Sequence, residues 1–104
     1  MSTTEMQTVK LILDLICSYF HVTPKQLESP CRRRELVIPR HYAFHLIRRQ
    51  TSLGVATIGL LFHRCPSTIT YALKALANDL TTNAQLRREL ATLESQLTPD
   101  LYYI

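Results

Sequence analysis

Glycine is scarce in this sequence of 104 residues, which contains only Gly54 and Gly59. Leucine follows Gly59, so the chain lacks the G-x-x-x-x-G-K-[ST] loop that binds nucleotide phosphates, and we do not expect a nucleotide-driven motor. The apolar fraction, 46% of the residues, is typical of a folded protein and not of a disordered or fibrous one. The length suits one domain that spans residues 1–104.

Long apolar runs are absent as well, and no segment is long enough to span a bilayer. The N-terminus has neither the basic nor the apolar region of a signal peptide, which favours a cytoplasmic protein with no membrane partner. The three cysteines, Cys17, Cys31 and Cys65, are odd in number and include no C-x-x-C pair. We therefore expect neither a disulfide framework nor a zinc cluster.

Catalytic and metal-binding patterns are incomplete. His41 and His45 are four residues apart, a spacing that places two imidazoles on one helical face, but no third ligand stands at a recognisable spacing. We interpret both as polar groups on a basic face. His63, Cys65 and Ser67 are close in sequence, yet a nucleophile needs a base oriented by a third group, which the pattern does not show. The sequence predicts no enzyme, no metal, no cofactor and no small-molecule substrate.

Apolar residues recur at helical spacing along the chain and predict an all-α fold, a compact bundle of about six helices without a strand. The first helix is expected over residues 3–20, with Ser2 and Glu5 at a capping-box spacing. Thr23 predicts the cap of a short second helix over residues 24–29. The buried residues of the first helix are expected to be Val9, Ile12, Leu13, Ile16, Tyr19 and Phe20.

The third helix is expected to begin between Val37 and Pro39, after an arginine-rich loop over residues 29–35, and to end near Arg49. Its inward residues are expected to be Tyr42, Ala43, Leu46 and Ile47. Its outward residues are expected to be Arg40, Arg48 and Arg49.

A sixth helix, capped by Thr82 or Asn83, carries a stripe of leucines. The stripe consists of Leu86, Leu90, Leu93 and Leu97. It either packs onto the rest of the domain or forms a short seam for weak self-association or a protein partner. We favour packing, because a coiled coil usually needs three or four heptads and barely two are present. The tail over residues 101–104 is expected to be partly ordered.

Residues 53–76, LGVATIGLLFHRCPSTITYALKAL, predict two helices joined by a tight turn. Pro66 lacks an N–H and suits only a first helical turn, so the second helix is expected to begin at residues 65–67. Ser67 and Thr68 then lie in an exposed first turn, where small hydroxyl side chains closely approach a base edge or a phosphate. This is the layout of a helix-turn-helix DNA reader. The alternative is an ordinary helical hairpin in which Ser67 serves only as a cap.

Positive charge is concentrated in the middle of the chain. Residues 25–74 contain nine Lys or Arg against two Glu, whereas residues 1–24 and 75–104 are both net acidic, and the net charge is +4. Such segregation is the electrostatic footprint of a polyanion-binding face, although a solvated basic face is the alternative. Because the basic region coincides with the helix-turn-helix candidate, we favour double-stranded DNA as the partner.

Several short motifs also occur in the order and spacing of a known family. They are Arg32-Arg33-Arg34, Pro39-Arg40, Ile58-Gly59-Leu60-Leu61-Phe62, His63-Arg64-Cys65-Pro66 and Ser67-Thr68-Ile69. From about Val9 to Leu97 the chain resembles the C-terminal DNA-binding domain of the bacterial replication initiator DnaA, a helical module of the Trp-repressor-like class. The resemblance implies DNA binding by a recognition helix in the major groove.

The resemblance also implies a role for each matching position. Arg40 corresponds to an arginine that enters a narrow A·T-rich minor groove, and Arg64 corresponds to the arginine of the turn. The residues expected to meet bases or grooves are Arg40, Arg64, Cys65, Pro66, Ser67 and Thr68. The residues in regions suited to phosphate contacts are Arg32, Arg33, Arg34, Arg48, Arg49, Thr51, Tyr71 and Lys74.

The chain departs from the family where the recognition helix begins. Cys65-Pro66 replaces an Asp-His pair and the turn is one residue shorter, so two polar base readers are lost. A good base contact contributes about 1–3 kcal/mol of discrimination, so the target can differ from the family's DnaA box. We expect sequence-specific binding at the nucleoid, in replication initiation or its regulation.

Other roles stay open at this point. Met1 favours a small stand-alone relative over an excised fragment of the initiator. Such a protein could be a transcriptional regulator or an accessory protein of a mobile element. A protein-interaction module that has lost DNA binding is the remaining alternative.

Overall fold

The described part of the protein consists of packed helices. A computed structural model describes residues 3–97, except for the side chain of Thr3. Six α-helices follow one another in this range: α1 Thr3–Phe20, α2 Pro24–Glu28, α3 Arg34–Gln50, α4 Val55–Leu61, α5 Pro66–Thr82 and α6 Ala84–Leu97. Residues 3–97 contain no strand, which confirms the all-α prediction. None of these helices is long and apolar enough to cross a membrane. The predicted Ser2 cap lies outside the described residues.

Short polar residues begin two of the helices as predicted. Thr23 Oγ1 accepts the backbone N–H of Gln26 at 3.1 Å, and the Gln26 side chain accepts the N–H of Thr23 at 2.8 Å, which completes a capping box. Asn83 Oδ1 accepts the N–H groups of Gln85 and Leu86 at 3.0 and 3.2 Å. Of the two candidate caps before α6, the cap is therefore Asn83.

The third helix begins earlier than predicted. We expected a start between Val37 and Pro39, because proline suits a first turn, but α3 begins at Arg34 and contains Pro39 in its interior. Pro39 cannot donate to the carbonyl of Glu35, one turn earlier. Glu35 is exposed, so water can hydrate this carbonyl, whereas Pro39 is buried. Burial of the apolar ring offsets the missing helical bond.

The α3 helix packs against α1, α2, α4 and α5 and contributes most to the core. Its four inward residues were predicted correctly, and Phe44, which was not predicted, is also buried. Besides Pro39 and Arg40, the buried residues of the three longest helices are Val9, Ile12 and Ile16 of α1, Tyr42, Ala43, Phe44, Leu46 and Ile47 of α3, and Ile69, Ala72 and Leu76 of α5. The prediction for Tyr19 was wrong, since it is 38% exposed and lies edge-on against Phe20. Partial exposure is common for amphipathic side chains such as tyrosine.

The leucine stripe of α6 belongs to the core. Leu93 is completely covered, Leu86 and Leu90 are buried, and Leu97 is half-buried. Packing onto the rest of the protein, which we favoured, is confirmed. The stripe does not present the self-association seam that we considered, because its apolar atoms already contact the core. The predicted tail over residues 101–104 lies outside the described residues.

Candidate nucleic-acid interface

A tight turn joins α4 to α5. The chain leaves α4 with His63 in the left-handed backbone region, at φ 57°. The N–H of Arg64 donates to the carbonyl of Gly59 at 2.8 Å, and the N–H of His63 donates to that of Leu60 at 3.4 Å. This pair of bonds is a Schellman motif, which satisfies carbonyls at the helix end and reverses the chain. The next helix then begins at Pro66, as predicted.

The same turn requires Gly59. A Cβ at this position would lie 2.5 Å from the carbonyl oxygen of Arg64, which is closer than such atoms approach. The space beside the glycine is thus filled by the backbone of the turn itself.

Phe62, which follows α4, is buried and packs edge-on against Phe44, with 4.8 Å between ring centroids. This contact attaches the turn to α3.

The first turn of α5 is exposed. Cys65, Pro66, Ser67 and Thr68 are all accessible, as the DNA-binding prediction requires. The N-cap residue is Cys65, whose side chain makes no capping bond, so the alternative in which Ser67 is the helix cap is wrong. The first N–H groups of a helix lack intrahelical partners and favour anions. Both the side chains and the backbone of this turn can therefore meet a nucleic acid.

A groove of about 640 Å³ lies between α5 and the arginine-rich loop, which we define as residues 29–33. Arg32 of this loop lines the groove together with Thr68 and Tyr71 of α5. Tyr71 is 73% exposed. Apolar side chains of α3 also line the groove, among them Phe44. The fold thus brings together residues from segments that are far apart in the sequence.

Further exposed cations lie close in sequence to the residues that line this groove. Arg32, Arg33 and Arg34 are all exposed, and Arg33 is the N-cap residue of α3. Lys74 is exposed on α5, three residues after Tyr71, so both lie on the same helical face. Five residues that we expected to contact phosphates are therefore accessible: Arg32 and Arg33 of the loop, Arg34 at the start of α3, and Tyr71 and Lys74 of α5.

Arg40 is the main correction to the predicted site. We expected its side chain to face outward and enter a minor groove, but the residue is only 6% exposed. Its Nε donates to the carbonyl of Leu27 at 2.8 Å, Nη2 to that of Ser29 at 2.8 Å, and Nη1 to that of Cys31 at 3.0 Å. Burial and then the charge of Arg64 lower the pKa of Arg40. Its guanidinium is therefore hydrogen-bonded to backbone carbonyls at the end of α2 and in the loop.

Arg64 binds the same loop from the other side. Its Nη2 donates to the carbonyl of Ser29 at 2.6 Å, and its Nη1 donates to that of Phe62 at 2.9 Å and that of Glu28 at 3.3 Å. The residue is half-buried, and burial lowers its pKa although the carboxylate of Glu28 raises it. The carbonyl oxygen of Ser29 therefore accepts from two guanidiniums. Sequence reasoning missed this oxygen, because every residue type carries the same backbone acceptor.

The three remaining predicted phosphate contacts do not line the groove. Arg48 is exposed and its Nη1 donates to the carbonyl of Leu53 at 3.3 Å. Arg49 is also exposed, but its charge acts on His45, at the contact between α3 and α6. Thr51 is half-buried and its hydroxyl donates to the carbonyl of residue 47 at 2.6 Å. All three side chains lie at the C-terminal end of α3.

The histidine pair of α3 is divided between two environments. His41 lines the groove, whereas His45 Nε2 lies 3.7 Å from Glu94 Oε1 of α6, which is too long for a hydrogen bond. Burial first lowers the pKa of His41, and the neighbouring Arg40 lowers it further. Within residues 3–97 no three His, Cys, Asp or Glu side chains come together in a way that could hold a metal ion.

The geometry around the α4–α5 turn is that of a helix-turn-helix domain, in which the second helix presents its first turn to a nucleic acid. Comparison with protein families reaches the same class. The family model described as bacterial DnaA protein helix-turn-helix matches residues 9–76, and the chain belongs to this family. The resemblance inferred from the sequence is confirmed.

Three curated relatives are chromosomal replication initiator proteins DnaA. The chain is 32% identical to that of Thermomicrobium roseum over 97 residues, which are 92% of this chain and 21% of the relative. For Oleidesulfovibrio alaskensis the identity is 37% over 82 residues, 79% of this chain and 18% of the relative. For Roseiflexus castenholzii it is 33% over 91 residues, with 86% and 19% covered. The chain thus spans about a fifth of the length of these relatives.

Proposed function

We propose that this chain binds double-stranded DNA, with the first turn of α5 in the major groove and the exposed loop arginines on the phosphate backbone. The groove that Arg32, Thr68 and Tyr71 share carries the proposal, because it places a cationic loop beside an exposed helix start. The proposed role is replication initiation or its regulation, the process after which the relatives are named. Binding at the nucleoid by this chain requires no ATP hydrolysis.

The proposed interface makes two kinds of contact, one with phosphates and one with base edges. Arg33, Arg34 and Lys74 are exposed cations suited to phosphates, which fix the register of the protein on the duplex. The hydroxyl groups of Ser67 and Thr68 suit base edges, which carry the sequence information. Affinity therefore comes mostly from the first group, and specificity mostly from the second.

The preferred target follows from the start of α5. Cys65 and Pro66 occupy the exposed positions before Ser67 and offer no strong hydrogen-bonding group. Direct readout by this turn then depends on two short side chains, Ser67 and Thr68. We propose sequence-specific binding to a site that differs from the DnaA box of the family.

A salt titration of DNA affinity tests the proposal. Fluorescence anisotropy of a labelled duplex gives the dissociation constant of the whole chain at increasing salt concentrations. If about four to six phosphates are engaged, the logarithm of the association constant falls against the logarithm of salt concentration with a slope of about −4 to −5. Absence of duplex binding at low salt would overturn the proposal.

Two matched arginine variants locate the interface. Arg33 lies in the loop and Arg88 lies on α6, and both are exposed. Arg33→Ala is expected to reduce the magnitude of the salt slope by about 1, because one phosphate contact is lost, whereas Arg88→Ala leaves it unchanged. Equal effects of the two substitutions would show that the loop is not the binding face.

A further inference from the structure

We propose that Arg40 and Arg64 position the loop that contacts DNA, and that Arg40 itself does not enter a groove of the duplex. This inference rests on the proposed function, because it assigns residues within that interface. It replaces the role that the family resemblance implied for Arg40. The support for it is a set of hydrogen bonds between two guanidiniums and the backbone of residues 27–31.

Arg40 closes the end of α2. The last carbonyls of a helix have no partner within the helix, and α2 ends immediately before the loop. A guanidinium presents five N–H donors in a planar fork, so one side chain can satisfy several oxygens. Arg40 satisfies the carbonyls of Leu27, Ser29 and Cys31 at 2.8 to 3.0 Å. Entry into a minor groove would break all three bonds.

Arg64 connects the same backbone to the recognition helix. The Ser29 carbonyl accepts from Arg40 at 2.8 Å and from Arg64 at 2.6 Å, which uses both of its lone pairs. Arg64 immediately precedes Cys65, the N-cap residue of α5. Two like charges this close repel each other, so the carbonyl dipoles must hold both side chains in place. One backbone oxygen thereby links the loop to the start of α5.

The loop arginines extend from this junction. Only residues 30–33 separate Ser29 from α3, and Arg32 lines the groove beside Thr68. The loop backbone is fixed relative to α5. The loop arginines and the first turn of α5 can therefore contact the same duplex at a fixed distance from each other. Arg40 then contributes to DNA affinity through the loop arginines.

Nuclear magnetic resonance of the unmodified sequence tests the assignment directly. In the ¹⁵N-labelled chain, the Nε–H of Arg40 is expected to exchange slowly with water, both free and bound to a duplex. The side chains of Arg32 to Arg34 are expected to show contacts to DNA protons. A contact between Arg40 and a sugar or base proton, with loss of its slow exchange, would overturn the inference.

A double-mutant cycle tests the energetic consequence. Arg40→Ala is expected to weaken binding about tenfold on both A·T-rich and G·C-rich duplexes. In a chain that already carries Arg32→Ala, Arg33→Ala and Arg34→Ala, the same change should weaken binding less than about twofold, because the contacts that it positions are gone. Equal losses in the two backgrounds would overturn the inference. So would a loss confined to A·T-rich duplexes.

Arg40→Lys separates charge from geometry. Lysine keeps the charge but cannot span three carbonyls, so it is expected to bind DNA as weakly as Arg40→Ala. Substantial rescue by lysine would indicate a direct electrostatic contact with DNA and contradict the positioning role. Binding by the unmodified chain separates the two proposals: failure of that chain to bind defeats the function, whereas normal binding with additive losses defeats only the positioning role.

Discussion

Histidine adopts the left-handed backbone conformation in the turns that end both α1 and α4. His21 and His63 have φ values of 56° and 57°, and after α1 the N–H of Val22 donates to the carbonyl of Cys17 at 3.0 Å. Glycine is usual at this position of a Schellman motif, and histidine is one of the few other residues enriched there. Both turns therefore form without glycine. Gly59 is needed for the space that a Cβ would occupy.

Gly59→Ala is expected to lower the free energy of unfolding by about 1–3 kcal/mol, because the new methyl overlaps the carbonyl oxygen of Arg64. The turn must shift, so DNA affinity should fall as well. Gly54→Ser is the matched control, since no described atom lies within 4 Å of a Cβ there and serine suits the N-cap of α4. Urea denaturation compares the variants. Equal stability of the two would show that the turn tolerates the methyl group.

The position of a side chain could be predicted from the sequence when its partners are close to it along the chain. Ser67 and Thr68 were placed correctly because Pro66 determines the start of α5 locally. Arg40 was not, because its acceptors are backbone oxygens 9 to 13 residues away, and such atoms have no signature in the sequence. Its position in a basic cluster favoured an outward side chain. The bonds that hold it inward exist only once α2 and α3 are packed.

At the scale of elements, a single residue separates α5 from α6. The N–H of Asn83 donates to the carbonyl of Asp79 at 2.9 Å and closes α5, while its side chain caps α6. This joint was predictable, because a cap and its N–H partners are three residues apart at most. The start of α3 was not predictable, since it depends on burial of Pro39 against distant helices.

Asn83→Ala is expected to lower the free energy of unfolding by about 0.5–2 kcal/mol, because two N–H groups at the start of α6 lose their acceptor. Asn83→Asp should retain most of the stability. Asn78→Ala, an exposed substitution within α5, is the control and should change stability by less than about 0.5 kcal/mol. Thermal and urea unfolding measure all three. A loss at position 78 as large as that at 83 would remove the support for the cap.

At the scale of the whole molecule, α3 joins α6, the α4–α5 turn and the loop. The hydroxyl of Tyr42 donates to Glu89 of α6 at 2.9 Å, Phe44 packs on the α4–α5 turn, and Arg40 holds the loop. His41 and His45 lie between these contacts and are half-buried. A change in their charge therefore affects the stability of the entire fold.

The free energy of unfolding is expected to decrease as the pH falls below about 6.5. Burial is the main cause that lowers the pKa of His41 and His45 from the ordinary value of 6.5. Neighbouring arginines add to this effect and neighbouring carboxylates oppose it. The unfolded chain consequently binds protons that the folded chain does not, so protonation favours unfolding. Stability is complete above the unfolded pKa and is lost as the pH falls toward the lower, folded values.

Urea unfolding between about pH 7.5 and 5.5 measures this dependence before most carboxylates titrate. A chain with His41→Asn and His45→Asn should show a smaller decrease than the unmodified chain over the same range. An identical pH dependence in both chains would contradict the assignment to the α3 histidines.

The oxygen shared by Arg40 and Arg64 belongs to the main chain, so the identity of residue 29 does not affect it. The support for the loop is instead encoded at two positions that are 24 residues apart in the sequence. Substitutions within residues 30–33 that leave the backbone in place therefore keep its acceptors, which include the carbonyl of Cys31. The domain thus offers a graft site, in which loops of different sequence could be presented beside an unchanged recognition helix to alter target preference.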